Sequence, residues 1–145
     1  MDRLSQHFKE NVRALDALLG VGRCFDMVSR DLCVGGKSAR LWVVDGYGDD
    51  AVIERMLSFW LPLRNIDGAQ TMQQFIDRYI TFSEVNAEQS VETAVTSVFL
   101  GKLLLLIDGF DADHGEHRFQ ILGIGDADVA VGKFIKHRIL RMIFL

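Results

Sequence analysis

The chain has 145 residues, 49% hydrophobic and 25% charged, which is enough for one domain or two small lobes with a real core and excludes a disordered chain. Its formal net charge of −4 gives nucleic-acid binding no electrostatic basis. Cys24 and Cys33 are too few for a disulfide framework or a zinc site, and no apolar run reaches the ~20 residues that span a bilayer, so a soluble chain with reduced thiols is expected.

The N-terminus has no apolar signal-peptide core. Ser5 can cap a first helix whose apolar stripe is Phe8, Val12, Leu15, Leu18 and Leu19, with Lys9, Glu10, Arg13 and Asp16 opposite. Gly20-Val21-Gly22 ends it and follows a helix, so it reads as a stop and not as a nucleotide loop. Residues 25–34 mix apolar and charged positions like a half-exposed strand, and Gly35-Gly36 turns them into a strand at 40–44, a hairpin. Asp49 and Asp50 suit a helix start, and the next helix turns Val52, Ile53, Met56, Leu57, Trp60 and Leu61 inward until Pro62. Residues 63–70 are the linker candidate. Thr71 opens a helix with Met72, Phe75, Ile76, Tyr79 and Ile80 inward, and a short strand is expected at 81–85. Ser90 precedes a helix with Val91, Val95, Val98 and Phe99 on one stripe, and a strand at 102–107 follows. In the tail, residues 118–122 can form a strand beside 103–107, and 126–145 a basic, apolar helix. The alternation of helices and apolar strands predicts an α/β fold, small mixed sheets flanked by helices, in two small lobes.

One pattern recurs. Residues 39–50 and 102–113 are apolar runs that each stop at Asp-Gly plus an aromatic residue, with acids beyond. Such runs fit strands buried on both faces. The corners, Asp45-Gly46 and Asp108-Gly109, are therefore expected at the C-terminal ends of two core strands, the edge where open α/β sheets bind ligands. These four residues are the ligand-binding candidates. With Asp49, Asp50, Asp111 and Asp113 they suggest a rival reading: an acidic, metal-dependent signalling or hydrolytic domain using Asp45 and Asp108. Turn and cap chemistry explains the same acids without a metal.

No catalytic constellation is present. The chain has no phosphate loop, no dinucleotide fingerprint and no nucleophile elbow. His114 and His117 flank Glu116 without a third placed ligand, Cys24 and Cys33 are too far apart for a redox pair, and Trp42, Phe59 and Trp60 sit at core spacing. Neither an enzyme, a metal nor a cofactor is expected. Lys133, Lys136, Arg138 and Arg141 could bring the tail helix to an anionic membrane, or simply face solvent.

Gly20-Val21-Gly22-Arg23, then Phe25-Asp26, Arg30, Val34-Gly35-Gly36-Lys37 and Val43-Val44-Asp45-Gly46-Tyr47 resemble the opening of GerA-type spore germination proteins. These are the A subunits of germinant receptors and the related stage V sporulation protein AF. Tyr79-Ile80, Val85, residues 91–98 and Leu104 to Phe110 follow in the same order and spacing, so the resemblance spans about residues 10–110. It implies an N-terminal cytosolic α/β domain in two lobes at the spore inner membrane, with the membrane region missing from this chain. The implied partners are other germination receptor subunits, with a small-molecule ligand also in view. It implies no enzyme activity.

The likeness stops after Asp113. There the family continues with a strand ending in Asp-x-Arg-Ser/Thr, then an arginine-rich segment and membrane helices, whereas this chain reads His114-Gly115-Glu116-His117-Arg118-Phe119. Codons for residues 114–121 permit a shifted frame spelling Met-Val-Asn-Ile-Asp-Phe-Arg-Ser, close to the missing strand. The expected division is a first lobe at 1–64, a second at 65–113 and a divergent, frameshifted tail at 114–145, without selected function.

Overall fold

The computed structural model describes residues 7–23, 26–45, 50–80, 85–88, 90–108 and 120–125. The elements follow in the order α1 (Phe8–Leu19), β1 (Met27–Val34), β2 (Lys37–Val44), α2 (Asp50–Trp60), α3 (Met72–Tyr79), β3 (Val85–Glu88), α4 (Val91–Phe99), β4 (Leu103–Ile107) and β5 (Gln120–Ile124). The strands make one five-stranded sheet in the order β1-β2-β4-β5-β3, with every neighbour antiparallel.

The β1–β2 hairpin is set by Gly35 and Gly36, whose φ values of 58° and 85° match the two positive-φ positions of the tightest hairpin turns. Its register runs unbroken from Met27↔Val44 to Val34↔Lys37. All of β4 is buried, and its side chains alternate between two cores. Leu103, Leu105 and Ile107 join Met56, Trp60, Met72 and Phe75 of α2 and α3. Leu104 and Leu106 join Leu15, Leu19, Val91, Ala94 and Val98 of α1 and α4. A continuous apolar run with no polar face needs helices on both sides, and it has them. The protein is a helix–sheet–helix α/β sandwich.

The connections carry the chain across the sheet. β3, α4 and β4 form a crossover unit whose two parallel strands are not adjacent, because β5 fills the slot between them. Strands from both expected lobes and from the expected tail therefore share one sheet, which is antiparallel and not mixed. Residues 63–70 are not a solvated linker: Ile66 and Ala69 are 3% and 7% exposed in the α2/α3 core. Leu63 also packs against this core from a partly buried position, and the remaining residues of the stretch are polar or glycine, so it looks polar in sequence.

Several local expectations shift. Leu18 and Phe99 are 52% and 42% exposed, since the helices turn Leu15 and Leu19, and Ala94 and Val98, to the sheet instead. β3 begins at Val85, where the sequence suggested a strand would end, and β5 lies two residues beyond its expected span. The expected helix at 126–145 lies outside the described residues.

Candidate functional site

The two Asp-Gly corners do not share an edge. β2 and β4 pair antiparallel, so their C-terminal ends point opposite ways. The Asp108 N–H donates to the Ser38 carbonyl at 2.8 Å, at the beginning of β2, whereas Asp45 follows the end of β2, its N–H donating to the Asp26 carbonyl at 2.7 Å. Ser38 and Asp45 are separated by the length of the strand, about 23 Å at the usual rise per residue. One ligand or ion cannot touch both acids, which corrects the shared edge and removes the acidic pocket built on Asp45 and Asp108. The expectation failed because it borrowed parallel-sheet geometry, in which all strands end on one side. Gly46 and Gly109, the other two candidates, lie outside the described residues, as do Asp49, Asp111, Asp113, His114, Glu116 and His117. Among the described residues no three His, Cys, Asp or Glu side chains converge as metal ligands.

At the Asp108 end the sheet forms a cleft of about 450 Å³, lined by Gly35, Gly36, Lys37, Ile66, Asp67, Ala69 and Gln70. Its walls are the β1–β2 turn and the segment between α2 and α3. They meet at Gly35, where a Cβ would lie 2.5 Å from Ile66 Cγ2 and 2.8 Å from the Asn65 carbonyl carbon. Only glycine fits that approach. The far wall is held by its own bonds: Asp67 N–H donates to Asn65 Oδ1 (3.3 Å), Ala69 N–H to the Ile66 carbonyl (2.9 Å) and Gln70 N–H to Gln74 Oε1 (2.8 Å). Tyr79 ties this wall to the core. Its hydroxyl accepts from Gly68 N–H at 3.3 Å, its carbonyl accepts from Trp60 Nε1 at 2.8 Å, and its ring stacks on Phe75 at 5.8 Å. The lining combines a cation, Lys37, an anion, Asp67, and an amide, Gln70, with the apolar Ile66 and Ala69. Such a lining can hold a small polar molecule. It contains no nucleophile–base pair.

A second polar cluster joins α1 to the sheet. Arg40 donates to both Asp16 carboxylate oxygens at 3.2 and 3.1 Å, to Asp31 Oδ1 at 2.8 Å and to Ser29 Oγ at 2.8 Å. Trp42 Nε1 donates to Asp16 Oδ1 at 2.8 Å, and the guanidinium lies 5.8 Å from the Trp42 ring centroid. Burial opposes the Arg40 charge, but the hydrogen bond to Asp31 and the fields of Asp16 and Asp31 outweigh it and raise its pKa. Every polar group here has an assigned structural partner, so the cluster is a strut.

The sequence did not reveal either feature. Gly35-Gly36 and Asp67-Gly68 are readable as turns, but their meeting is set by the packing of α2 on the sheet. Asp16 reads as part of a solvated face, and only the fold brings Arg40 and Trp42 under it.

A family model described as Bacillus/Clostridium GerA spore germination protein matches residues 14–114. Comparison with curated protein sequences gives no match. Among solved structures, the fold is similar to the crystal structure of the N-terminal domain of the A subunit of the Bacillus megaterium spore germinant receptor GerK3, with a TM-score of 0.64 and 16% identity. That likeness covers 91% of this chain and 55% of the solved one, so the chain spans about half the length of the structure it matches. Among the described residues, no helix is long and apolar enough to cross a membrane.

Proposed function

The chain belongs to the GerA family of spore germination proteins, and on that premise we propose that it acts in spore germination as the counterpart of part of a germinant-receptor A-subunit N-terminal domain. It works by interaction: it docks on other germination receptor subunits at the spore inner membrane, with a small ligand seated in the Lys37–Asp67 cleft. The observation that carries this reading is the coincidence of the family match over residues 14–114 with the fold of the GerK3 domain. The cleft supports the ligand role through its opposite charges, Lys37 and Asp67, and through the close backbone approach at Gly35.

Disrupting the gene in its own spore-forming host tests the proposal. Spores lacking it should respond more slowly to at least one nutrient, read as the fall in optical density, and the intact gene should restore the response. Mutant spores that respond normally to every nutrient would overturn it.

A further inference from the structure

The sheet has two edges, and β1, with eight residues, is longer than β3, with four. Hydrogen-bond parity shows which backbone groups face outward. Because Asp45 N–H donates to the Asp26 carbonyl, that pair is a bonded one, and bonded pairs recur at every second residue of an antiparallel ladder. The bonded pairs of the hairpin are then Val28↔Val43, Arg30↔Leu41, Leu32↔Ala39 and Val34↔Lys37. Met27, Ser29, Asp31 and Cys33 consequently direct their N–H and C=O groups away from β2. No described residue pairs with them. The strand has no proline and no break in register, two of the devices that blunt an edge, and of the third, charge, it carries Arg30 and Asp31.

The side chains beside this edge define what can join it. Val28 and Arg30 lie on the α2/α3 face of β1 beyond the helices' cover: Arg30 is exposed and Val28 is 43% exposed. A second copy of the chain, added by two-fold symmetry so that all outward groups bond, would place Met27 opposite Cys33 and Ser29 opposite Asp31. That register sets Arg30 against its own counterpart in a non-bonded pair, where side chains approach most closely. Like charges so placed are destabilising. A strand carrying a carboxylate at that position meets the opposite sign.

We propose that the outer edge of β1, which no described residue pairs with, is a docking strand for an extended segment of another polypeptide that carries Asp or Glu opposite Arg30 and an apolar residue opposite Val28. Arg30 selects this partner and keeps the chain from pairing with itself. The edge adds a surface to the subunit-docking reading above and rests on that reading only for the source of the strand.

The edge can be tested with this chain alone. Wild type, Arg30→Glu and their equimolar mixture are measured by light scattering at up to about 1 mM, in low and high salt. Arg30 is exposed, so the variant should melt like the wild type. Each protein alone should be monomeric. The mixture, with arginine facing glutamate, should form a dimer that salt weakens. A mixture that stays monomeric would show that the edge is not open, and a wild-type dimer abolished by Arg30→Glu would overturn the assigned partner chemistry. Neither result bears on the germination phenotype, which is measured separately in spores.

Discussion

Gly35 joins two kinds of constraint at one residue: a positive φ of 58° and a backbone contact with Asn65 and Ile66 that leaves no room for a methyl group. Gly22 has the first constraint without the second, with φ at 84° and nothing near its missing Cβ. Gly22→Ala should therefore cost about 1 kcal/mol of strain, whereas Gly35→Ala should cost about 2–4 kcal/mol and open the cleft. Urea unfolding midpoints of the two variants measure the difference, and equal losses would contradict the close approach. Asp16 offers a second test. Removing it as Asp16→Ala strips Arg40 of a bidentate partner and Trp42 Nε1 of its acceptor, at an expected cost of about 1–3 kcal/mol. Trp42→Phe in the Asp16→Ala background should then cost less than in the wild type, because the indole bond has already gone, and a double-mutant cycle reads that coupling.

At the scale of elements, β4 was the most readable part of the chain. Five apolar residues between turn signals fit a strand covered on both faces, and the structure gives each of Leu103 to Ile107 to one core or the other. Leu105→Ala should destabilise by about 2–5 kcal/mol in thermal unfolding, since the residue is fully buried between α2/α3 and its neighbours in the sheet. The α4 cap was equally legible. Ser90 Oγ accepts from Thr93 N–H at 3.1 Å while Thr93 Oγ1 accepts from Ser90 N–H at 3.3 Å, and Ser90→Ala should cost about 1 kcal/mol. What the sequence left hidden was strand direction. The runs ending at Asp45 and Asp108 look alike, and nothing within either run says that they lie head to tail. That relation depends on the crossover of α2, α3 and β3 to the far edge of the sheet, and it decides where any site can be. The cleft stayed hidden for the same reason, because Ile66 and Ala69 carry no periodic signal in a stretch that otherwise reads as loop.

For the molecule as a whole, the separation of Asp45 from Asp108 predicts that magnesium or calcium will leave the melting temperature unchanged, since an ion that bound the folded state alone would raise it by mass action. A rise would point to acids outside this pair. The tail is checked at the level of DNA. If residues 114–145 are read in a shifted frame, the other frame continues into the family's arginine-rich segment, and its absence would refute that origin. Either way residues 121, 122 and 124 are no idle appendage, because Ile121, Leu122 and Ile124 are at most 2% exposed in the middle of the sheet. This has a consequence for the order of events during synthesis. The hairpin of β1 and β2 can close as soon as it leaves the ribosome, but β3 and β4 leave a gap that β5, Gln120–Ile124, fills. The nascent domain therefore carries an open seam, with bare edges on β3 and β4, until β5 has been synthesised and has left the exit tunnel. Ribosome-stalled chains ending before Gln120 should be cut by protease in that seam, and chains extended past Gly125 and clear of the exit tunnel should resist.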